Sequence, residues 1–598
     1  MIKRILLFLT IMLLPALYLT AEEKKTADWY EQRADEAIAA EEYEKAISLL
    51  EEGKKLYPKA VRLYQTAGDL YSEKKLYRMA LNEYREAETI DPGNSNIHFN
   101  LAQTYGFLNE NEESVYYFEK LLEDPDYSSL IINDLAWMYF KTHRHRQGEA
   151  LLLSALEQGF NRNYAHTLGT LYAGMYDYEN SRKYYLMAIE DAENISFYYF
   201  AAIAYYNLAL LETSFYHYDN AMEYTRKSLE NRERASGYTS QGELYTMRMD
   251  YGKAYEALSN AENMDDTPLS LFSKVDLFLN YGALNSAAVY INRIANWEDK
   301  SWMYYYGMNI QQYEKDLHYA SMRLYQGLGN QTAYHISLGP LDFIKKNFRR
   351  IKYKFLTFYH KVKYRNALLN LAEEEEKQDN YYDSWWYSYQ ASRDYRPIAL
   401  KYLKKSEAFE EKLTPLCAPW YDLEEGRVKD DSDLLKDAAG HFDPDWEKIP
   451  LCETYEEMAR LYKKQGRRNE TYDVLNTLYA VNPGGLLQKG FALPLIVRFR
   501  TDQSVDIKTE RWEKKVYGIL RRSGVPVSKN KKPGFEYILT ILLYPDGNVV
   551  YSLTDKNGYE AYSGNYNLKN YKMKTLKTWL NNLIVDIHSI NYEGNPVY

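Results

Sequence analysis

The chain has 598 residues and a formal net charge of −10. A chain of this length is too long for one compact core, so we expect several domains or one extended repeat array. The acidic balance argues against a general nucleic-acid-binding protein, which carries a basic domain. Its two cysteines, Cys417 and Cys452, exclude a disulfide framework and a thiolate zinc cluster, although a single bridge between them stays open.

The first 21 residues have the layout of a secretory signal peptide. They begin with the basic segment Met1-Ile2-Lys3-Arg4 and continue with an almost wholly apolar run that ends at Leu19. This run is too short for an ordinary membrane span. We therefore predict an exported protein cleaved after Ala21, with an uncleaved anchor as the alternative.

Residues 61–94 introduce a spacing that recurs along the chain. With Val61 as position 1, small residues occupy positions 8 (Gly68) and 20 (Ala80), and a closing proline occupies position 32 (Pro92). Aromatic residues surround the small ones: Tyr64, Tyr71, Tyr77 and Tyr84. Small residues let two helix backbones approach closely, and a proline cannot continue a helix. The segment resembles the tetratricopeptide repeat, a helix–turn–helix unit of about 34 residues.

The same register returns in neighbouring segments. Units begin near Ala27, Ser95, Ser129, Arg162, Ala202 and Ala235, and weaker copies continue to about Gly327. The resemblance therefore implies an array of paired helices over residues 27–327. Residues 328–451 are interpreted as degenerate helical repeats and a connector. Residues 452–485 are interpreted as one further repeat-like unit that caps the array.

Residues 490–598 have a different pattern. Strands are predicted at 492–500, 535–543, 549–553 and 559–566, and helices at 505–522 and 568–590. The order β-α-β-β-β-α predicts a small α+β domain in which two helices cover one side of an antiparallel sheet. The predicted fold class is thus mostly α, a tetratricopeptide solenoid followed by a small C-terminal α+β domain.

Motifs for catalysis are missing from the sequence. It has no nucleotide-binding, nucleophile-elbow or zinc-protease signature. His143 and His145 are two residues apart, a spacing that does not place both on one face of a helix to bind a metal. The C-terminal domain offers only His588 and scattered acids. We predict no catalytic residues, no cofactor and no metal.

The resemblance to tetratricopeptide repeats implies a concave surface lined by positions 2, 5, 9, 12 and 13 of each unit. Carried over by register, the candidate groove comprises Phe99, Gln103, Phe107, Asn133, Trp137, Phe140, Lys141, Asn163, His166 and Thr170. Amides and a lysine beside aromatic rings suit an extended peptide. The alternative is that the aromatic residues only pack between neighbouring helices.

A second candidate surface is basic. Its cations are Lys345, Lys346, Arg349, Arg350, Lys352 and Lys354. Aromatic residues such as Phe348 and Phe355 interleave with them, which would suit anionic lipid headgroups or a cell-wall polymer. The alternative is an ordinary helix whose aromatic residues face the core and whose charges face water.

These patterns predict an exported, non-enzymatic scaffold of the bacterial cell envelope that binds a protein or peptide partner through its concave surface. Nucleic acid is not an expected partner. Two alternatives stay open: a structural protein that associates with itself, and a repeat array that recruits a substrate for a small C-terminal enzyme domain. The sequence leaves the partner and the oligomeric state undetermined.

Overall fold

The fold was analysed in a computed structural model. It describes residues 25–264, 268–298, 303, 308, 310–334, 340–377, 381–392, 418–482, 486, 489–501, 509–529, 536–544, 548–555, 557, 560–568 and 573–587. The predicted signal peptide, Cys417 and His588 lie outside these residues. Contacts divide the chain into two compact units. The first comprises the described residues up to Ala155 and the described part of 299–309, and the second comprises the remaining described residues.

Paired helices make up the first unit. They are α1 (Ala27–Ala39), α2 (Tyr43–Leu56), α3 (Val61–Glu73), α4 (Tyr77–Ile90), α5 (Ser95–Phe107), α6 (Asn111–Leu121), α7 (Ile132–Lys141) and α8 (His145–Gln158), whose last turn crosses into the second unit. Helices α1 and α2, α3 and α4, and α5 and α6 pack against each other as hairpins. Helix α8 follows α7 after a short turn. The regular structure of the first unit's described residues is therefore helical.

The second unit continues the helical pairs and ends in a sheet. Its repeat helices are α9 (Arg162–Gly174), α10 (Tyr178–Asn194), α11 (Tyr198–Ser214), α12 (Tyr218–Asn231), α13 (Ala235–Met247), α14 (Tyr251–Met264), α15 (Pro268–Tyr281) and α16 (Leu284–Ala295). Later helices are α17 (Ile310–Tyr334), α18 (Pro340–Lys377), α19 (Tyr381–Ser392), α20 (Ala418–Lys429), α21 (Ser432–His441), α22 (Lys448–Lys464) and α23 (Arg468–Val481). These elements confirm the predicted solenoid.

Inside nine helical pairs of the described residues, the turn has a residue in the left-handed region. In the first unit these residues are Glu41, Lys75, Asn109 and His143, and in the second they are Tyr176, Tyr216, Met249, Gly282 and Gly466. Each of the seven non-glycine residues has a φ between 56° and 63°. Lys75 is the fifteenth residue counted from Val61, and Glu41 is the fifteenth from Ala27. The fold therefore repeats with the spacing that the sequence shows.

The small residues at position 8 lie where two helices of a pair touch. A Cβ on Gly68 would come within 2.4 Å of the Tyr84 ring, and one on Gly242 within 2.4 Å of Leu258. The Tyr84 hydroxyl in turn donates a hydrogen bond to Asp69 Oδ1 at 2.6 Å. Close approach at this position is thus a real packing requirement, as the sequence predicted.

The first helices of successive pairs contact one another within each unit. In the second unit α9 contacts α11, α11 contacts α13, α13 contacts α15, and α15 contacts α17; in the first unit α1 contacts α3. In helical solenoids, the stacking of successive repeats creates an extended concave surface.

The C-terminal sheet has the strand order β2-β1-β3-β4-β5. The elements are β1 (Leu495–Thr501), α24 (Thr509–Arg522), β2 (Val527–Ser528), β3 (Tyr537–Leu543), β4 (Asn548–Thr554), β5 (Glu560–Asn567) and α25 (Met573–Ile587). The prediction that all strands are antiparallel is wrong for β1, which runs parallel to β2 and to β3. It is right for β4, which pairs antiparallel with β3 and with β5. A helix between β1 and β3 returns the chain to the same end of the sheet, which makes the two strands parallel.

One continuous apolar core joins this sheet to the helices before it. Leu539, Ile541 and Leu553 of the sheet are fully buried in a cluster that also contains Leu580 of α25 and Met458 of α22. Tyr479 of α23 makes an edge-on contact with Tyr537 of β3, with ring centroids 4.8 Å apart. The predicted apolar stripe of α25 is confirmed at Leu576, Leu580 and Leu583, which are all buried.

Candidate functional site

The four candidate aromatic residues of the groove in the first unit are all partly buried, and each contacts another ring. Phe107 of α5 stacks on Tyr77 at 4.7 Å, and Trp137 stacks on Phe140 at 5.2 Å within α7. Phe99 lies edge-on to Phe118, with centroids 6.4 Å apart. Each ring therefore packs against another ring of the fold and also keeps part of its surface open to solvent. This agrees with packing between helices and leaves surface available for a partner.

The polar candidates of the first unit differ in exposure. Gln103 and Asn133 are partly buried, whereas Lys141 is only 5% exposed. The Lys141 ammonium donates a hydrogen bond to Asn109 Oδ1 at 3.1 Å. Burial lowers the pKa of Lys141 to about 7. This lysine contributes mainly to the interior of the array, because almost none of its surface is open.

The candidates of the second unit lie on α9. Asn163 is exposed, and His166 and Thr170 are partly buried. His166 Nε2 lies 2.8 Å from the side-chain amide nitrogen of Asn207 on α11, and its ring contacts Phe200 at 5.4 Å. Burial lowers the pKa of His166 to about 4, so that the ring is neutral at physiological pH. It acts as a fixed hydrogen-bonding group between two inner helices.

A set of polar residues that link successive first helices was missed by the sequence analysis. It comprises Glu243, Ser273, Asp276, Asn280 and Arg323, which we call the polar ladder because they connect α13, α15 and α17 in turn. Ser273 Oγ donates to Glu243 Oε1 at 2.6 Å. Arg323 donates to Asn280 Oδ1 at 2.7 Å and forms an ion pair with Asp276.

Charged side chains extend the polar ladder from Arg323 to α22. Electrostatic interactions link Arg323 with Glu453 and with Lys489, and the Lys489 ammonium lies 3.1 Å from the Glu456 carboxylate. Burial raises the pKa of the Glu243 and Glu456 carboxyl groups. The Asp276 side chain keeps 47% of its surface exposed, so this surface presents charge to solvent.

The repeat register gave a signal for Glu243 and for the acidic residues of α22, but not for the rest of the polar ladder. Glu243 is position 9 of the unit that begins at Ala235, and Glu453 and Glu456 are positions 2 and 5 of the unit that begins at Cys452. These are the positions from which the groove was predicted in earlier units. The predicted groove residues end at Thr170, so later units were not included. The repeat register also does not show which side chains of later helices contact one another.

The basic candidates lie on α18. Lys345, Arg349, Lys352 and Lys354 are exposed, whereas Lys346 and Arg350 are partly buried. The Lys346 ammonium donates to the backbone oxygen of Ala333 at 2.9 Å, and Arg349 lies 3.8 Å from Asp342. The aromatic residues Phe348 and Phe355 are 69% and 67% exposed. The patch thus has cations and aromatic rings on its open surface.

The described residues contain neither a membrane span nor a metal-binding cluster. No helix among them is long and apolar enough to cross a membrane. No group of three or more His, Cys, Asp and Glu side chains in the same residues is arranged to hold a metal ion.

The repeats belong to a known family. Residues 61–94 and 95–123 match the family model of the tetratricopeptide repeat, so the chain carries tetratricopeptide repeats. The C-terminal α+β domain matches no family model. Helical repeats of this kind stack into extended surfaces that commonly bind other proteins. No curated protein gives a significant match to the sequence.

Parts of this chain are similar to three solved structures. A tetratricopeptide repeat protein from Parabacteroides merdae is 17% identical, with 40% of this chain and 93% of that chain covered and a TM-score of 0.37. YrrB, described as a tetratricopeptide repeat protein with an unusual peptide-binding site, is 18% identical, with 29% and 90% covered and a TM-score of 0.27. PilW, a type IV pilus biogenesis factor, is 19% identical, with 40% and 92% covered and a TM-score of 0.25.

Proposed function

We propose that this protein is an exported, non-enzymatic scaffold of the cell envelope that holds an extended segment of a partner protein on its inner surface. Export rests on the predicted signal peptide, residues 1–21. The observation that carries the binding proposal is the set of partly buried rings on the first helices of the first unit: Phe99, Phe107, Trp137 and Phe140.

Ring contacts make these groups suited to binding. Phe107 and Trp137 are each held by stacking on a neighbouring ring, so they lose little conformational freedom when a partner covers them. Aromatic anchors of this kind carry much of the energy of protein interfaces. Gln103 and Asn133 on the same helices can supply hydrogen bonds to the partner backbone.

The test is affinity capture from the native envelope fraction with the full mature chain as bait. The groove variant combines Phe107→Ala and Trp137→Ala. Its matched control combines Tyr116→Ala and Phe160→Ala, which remove rings that are 53% and 49% exposed elsewhere. We expect one discrete partner that is captured by the native chain and by the control, and at least tenfold less by the groove variant.

Circular dichroism of all three proteins shows whether the variants keep their helices. Equal capture by a folded groove variant would contradict the binding proposal. Recovery of the chain only in the cytoplasmic fraction, with the N-terminal segment retained, would contradict the proposed export.

A further inference from the structure

Helix α18 has a continuous apolar stripe that faces solvent. Its members are Leu341, Ile344, Phe348, Ile351, Phe355, Phe358 and Tyr359, and their exposed fractions range from 46% at Tyr359 to 75% at Leu341. They recur every three or four residues, which places them on one side of the helix. Apolar rows of this length on a protein surface mark an interaction site.

The opposite side of α18 fixes its orientation on the protein. Tyr353 stacks on Tyr325 of α17 at 6.3 Å, and His360 stacks on the same ring at 5.5 Å. His360 also lies 3.0 Å from His318, Nδ1 to Nδ1. Because this side is held by α17, the apolar stripe points outward.

Cations border the apolar stripe on both sides. Lys345, Lys352 and Lys363 follow one border, Lys354 lies on the other, and all four are exposed. The sequence from Phe343 to Ala372 contains no acidic residue, although the whole chain has a net charge of −10. The positive charge is therefore concentrated at the edges of the apolar stripe.

We propose that α18 binds the surface of an anionic lipid bilayer, lying in the plane of the interface with the apolar stripe immersed and the lysines at the headgroups. An exposed apolar face rich in Phe and bordered by Lys and Arg is the composition of interfacial helices. The stripe from Leu341 to Tyr359 would lie along roughly 27 Å of membrane surface at the usual helical rise.

Other occupants fit these observations less well. If two copies of the protein packed their apolar stripes together, the cations at the borders of one stripe would face the cations of the other. This holds for parallel and for antiparallel helices, because cations border both sides of the stripe. An anionic cell-wall polymer would neutralise the lysines but would leave seven large apolar side chains in water. Of these three occupants, the lipid surface alone satisfies both the charge and the apolar area. This proposal does not depend on the binding of a partner protein to the inner surface.

The experiment is co-sedimentation of the full chain with vesicles of phosphatidylcholine alone or with about one third phosphatidylglycerol. The stripe variant is Phe348→Gln, Ile351→Gln and Phe355→Gln. The matched control is Leu56→Gln, Leu130→Gln and Val289→Gln, which change residues that are 58%, 67% and 66% exposed on other surfaces. A charge variant, Lys352→Glu with Lys354→Glu, tests the border separately.

We expect the native chain and the control to bind anionic vesicles and to bind neutral vesicles at least tenfold less. The stripe and charge variants should each lose at least tenfold on anionic vesicles, with unchanged circular dichroism. Failure of the native chain to bind anionic vesicles would overturn the proposal, as would undiminished binding by the stripe variant. A concentration-dependent dimer that the stripe variant abolishes, without vesicle binding, would show instead that a second copy covers the stripe.

Discussion

At the scale of single residues, burial rather than residue type decides what the candidate groove residues can do. Lys141 and Gln103 both occupy positions that the repeat register assigns to the concave surface. Gln103 keeps part of its surface open, whereas Lys141 is 5% exposed and bonded to Asn109. A charged side chain in such surroundings titrates differently in the folded and unfolded chain, which gives a measurable consequence.

Lys141 should make stability rise with pH in the alkaline range. Its pKa is about 7 when folded, against an ordinary value of 10.5, so between these values the unfolded chain holds a proton that the folded chain has released. The unfolding free energy should therefore increase from pH 7 toward pH 10.5, by up to about 1.4 kcal/mol per pH unit. Lys141→Met should remove this contribution.

The measurement is the urea unfolding midpoint of the native chain and of Lys141→Met at pH 7.5, 8.5 and 9.5. Lys120→Met, at an exposed position on α6, serves as the control and should keep the native slope. The informative quantity is the difference in pH dependence between Lys141→Met and the native chain, because other titrating groups contribute equally to both proteins. The same slope in Lys141→Met as in the native chain would show that the buried lysine is not neutral.

At the scale of elements, each helical pair depends on a close crossing and a left-handed turn. Gly68 at the crossing faces the Tyr84 ring, and the Tyr84 hydroxyl is held by Asp69, so the ring has little freedom to move aside. The turn at Lys75 has a φ of 58°. The crossing could be predicted from the sequence because it requires a small residue; the turn could not, because it is filled by Glu, Lys, Asn, His, Tyr and Met.

Gly68→Ala should destabilise the α3–α4 pair by about 1–3 kcal/mol, as overpacking of a core does. The added methyl would lie 2.4 Å from the Tyr84 ring. Peptide-resolved hydrogen exchange should show faster exchange in α3 and α4 than in the native chain. Gly93→Ala is the control, because nothing lies within 4 Å of its added Cβ. Unchanged protection of α3 and α4 in Gly68→Ala would contradict the tight crossing.

Strand order in the C-terminal domain was predictable only in part. The segments of β1, β3, β4 and β5 have the β-branched and aromatic composition that identifies strands. β2 consists of Val527 and Ser528 alone, which is too short to give an alternating pattern. Sheet direction was mistaken because β1 and β3 are separated by a helix, and adjacency in space is not visible in the order of elements.

At the scale of the whole molecule, the first helices of the two units carry different kinds of side chain. The first unit presents partly buried rings, and the second presents the polar ladder of Glu243, Asp276 and Arg323 with their partners. The rings occupy positions 5, 9, 12 and 13 of their units, so the repeat register alone suggested them as groove candidates. The ladder depends on contacts between residues 30 to 47 positions apart, which no local pattern reveals.

The most direct test of the proposed scaffold function is photo-crosslinking in the native host. A benzophenone amino acid would replace Gln103 on the inner side of α5 in one strain and Tyr116, an exposed residue of α6, in another. We predict a discrete cross-linked partner protein from position 103 and none of that mass from position 116. The same product from both positions, or a product from position 116 alone, would contradict an inner binding surface.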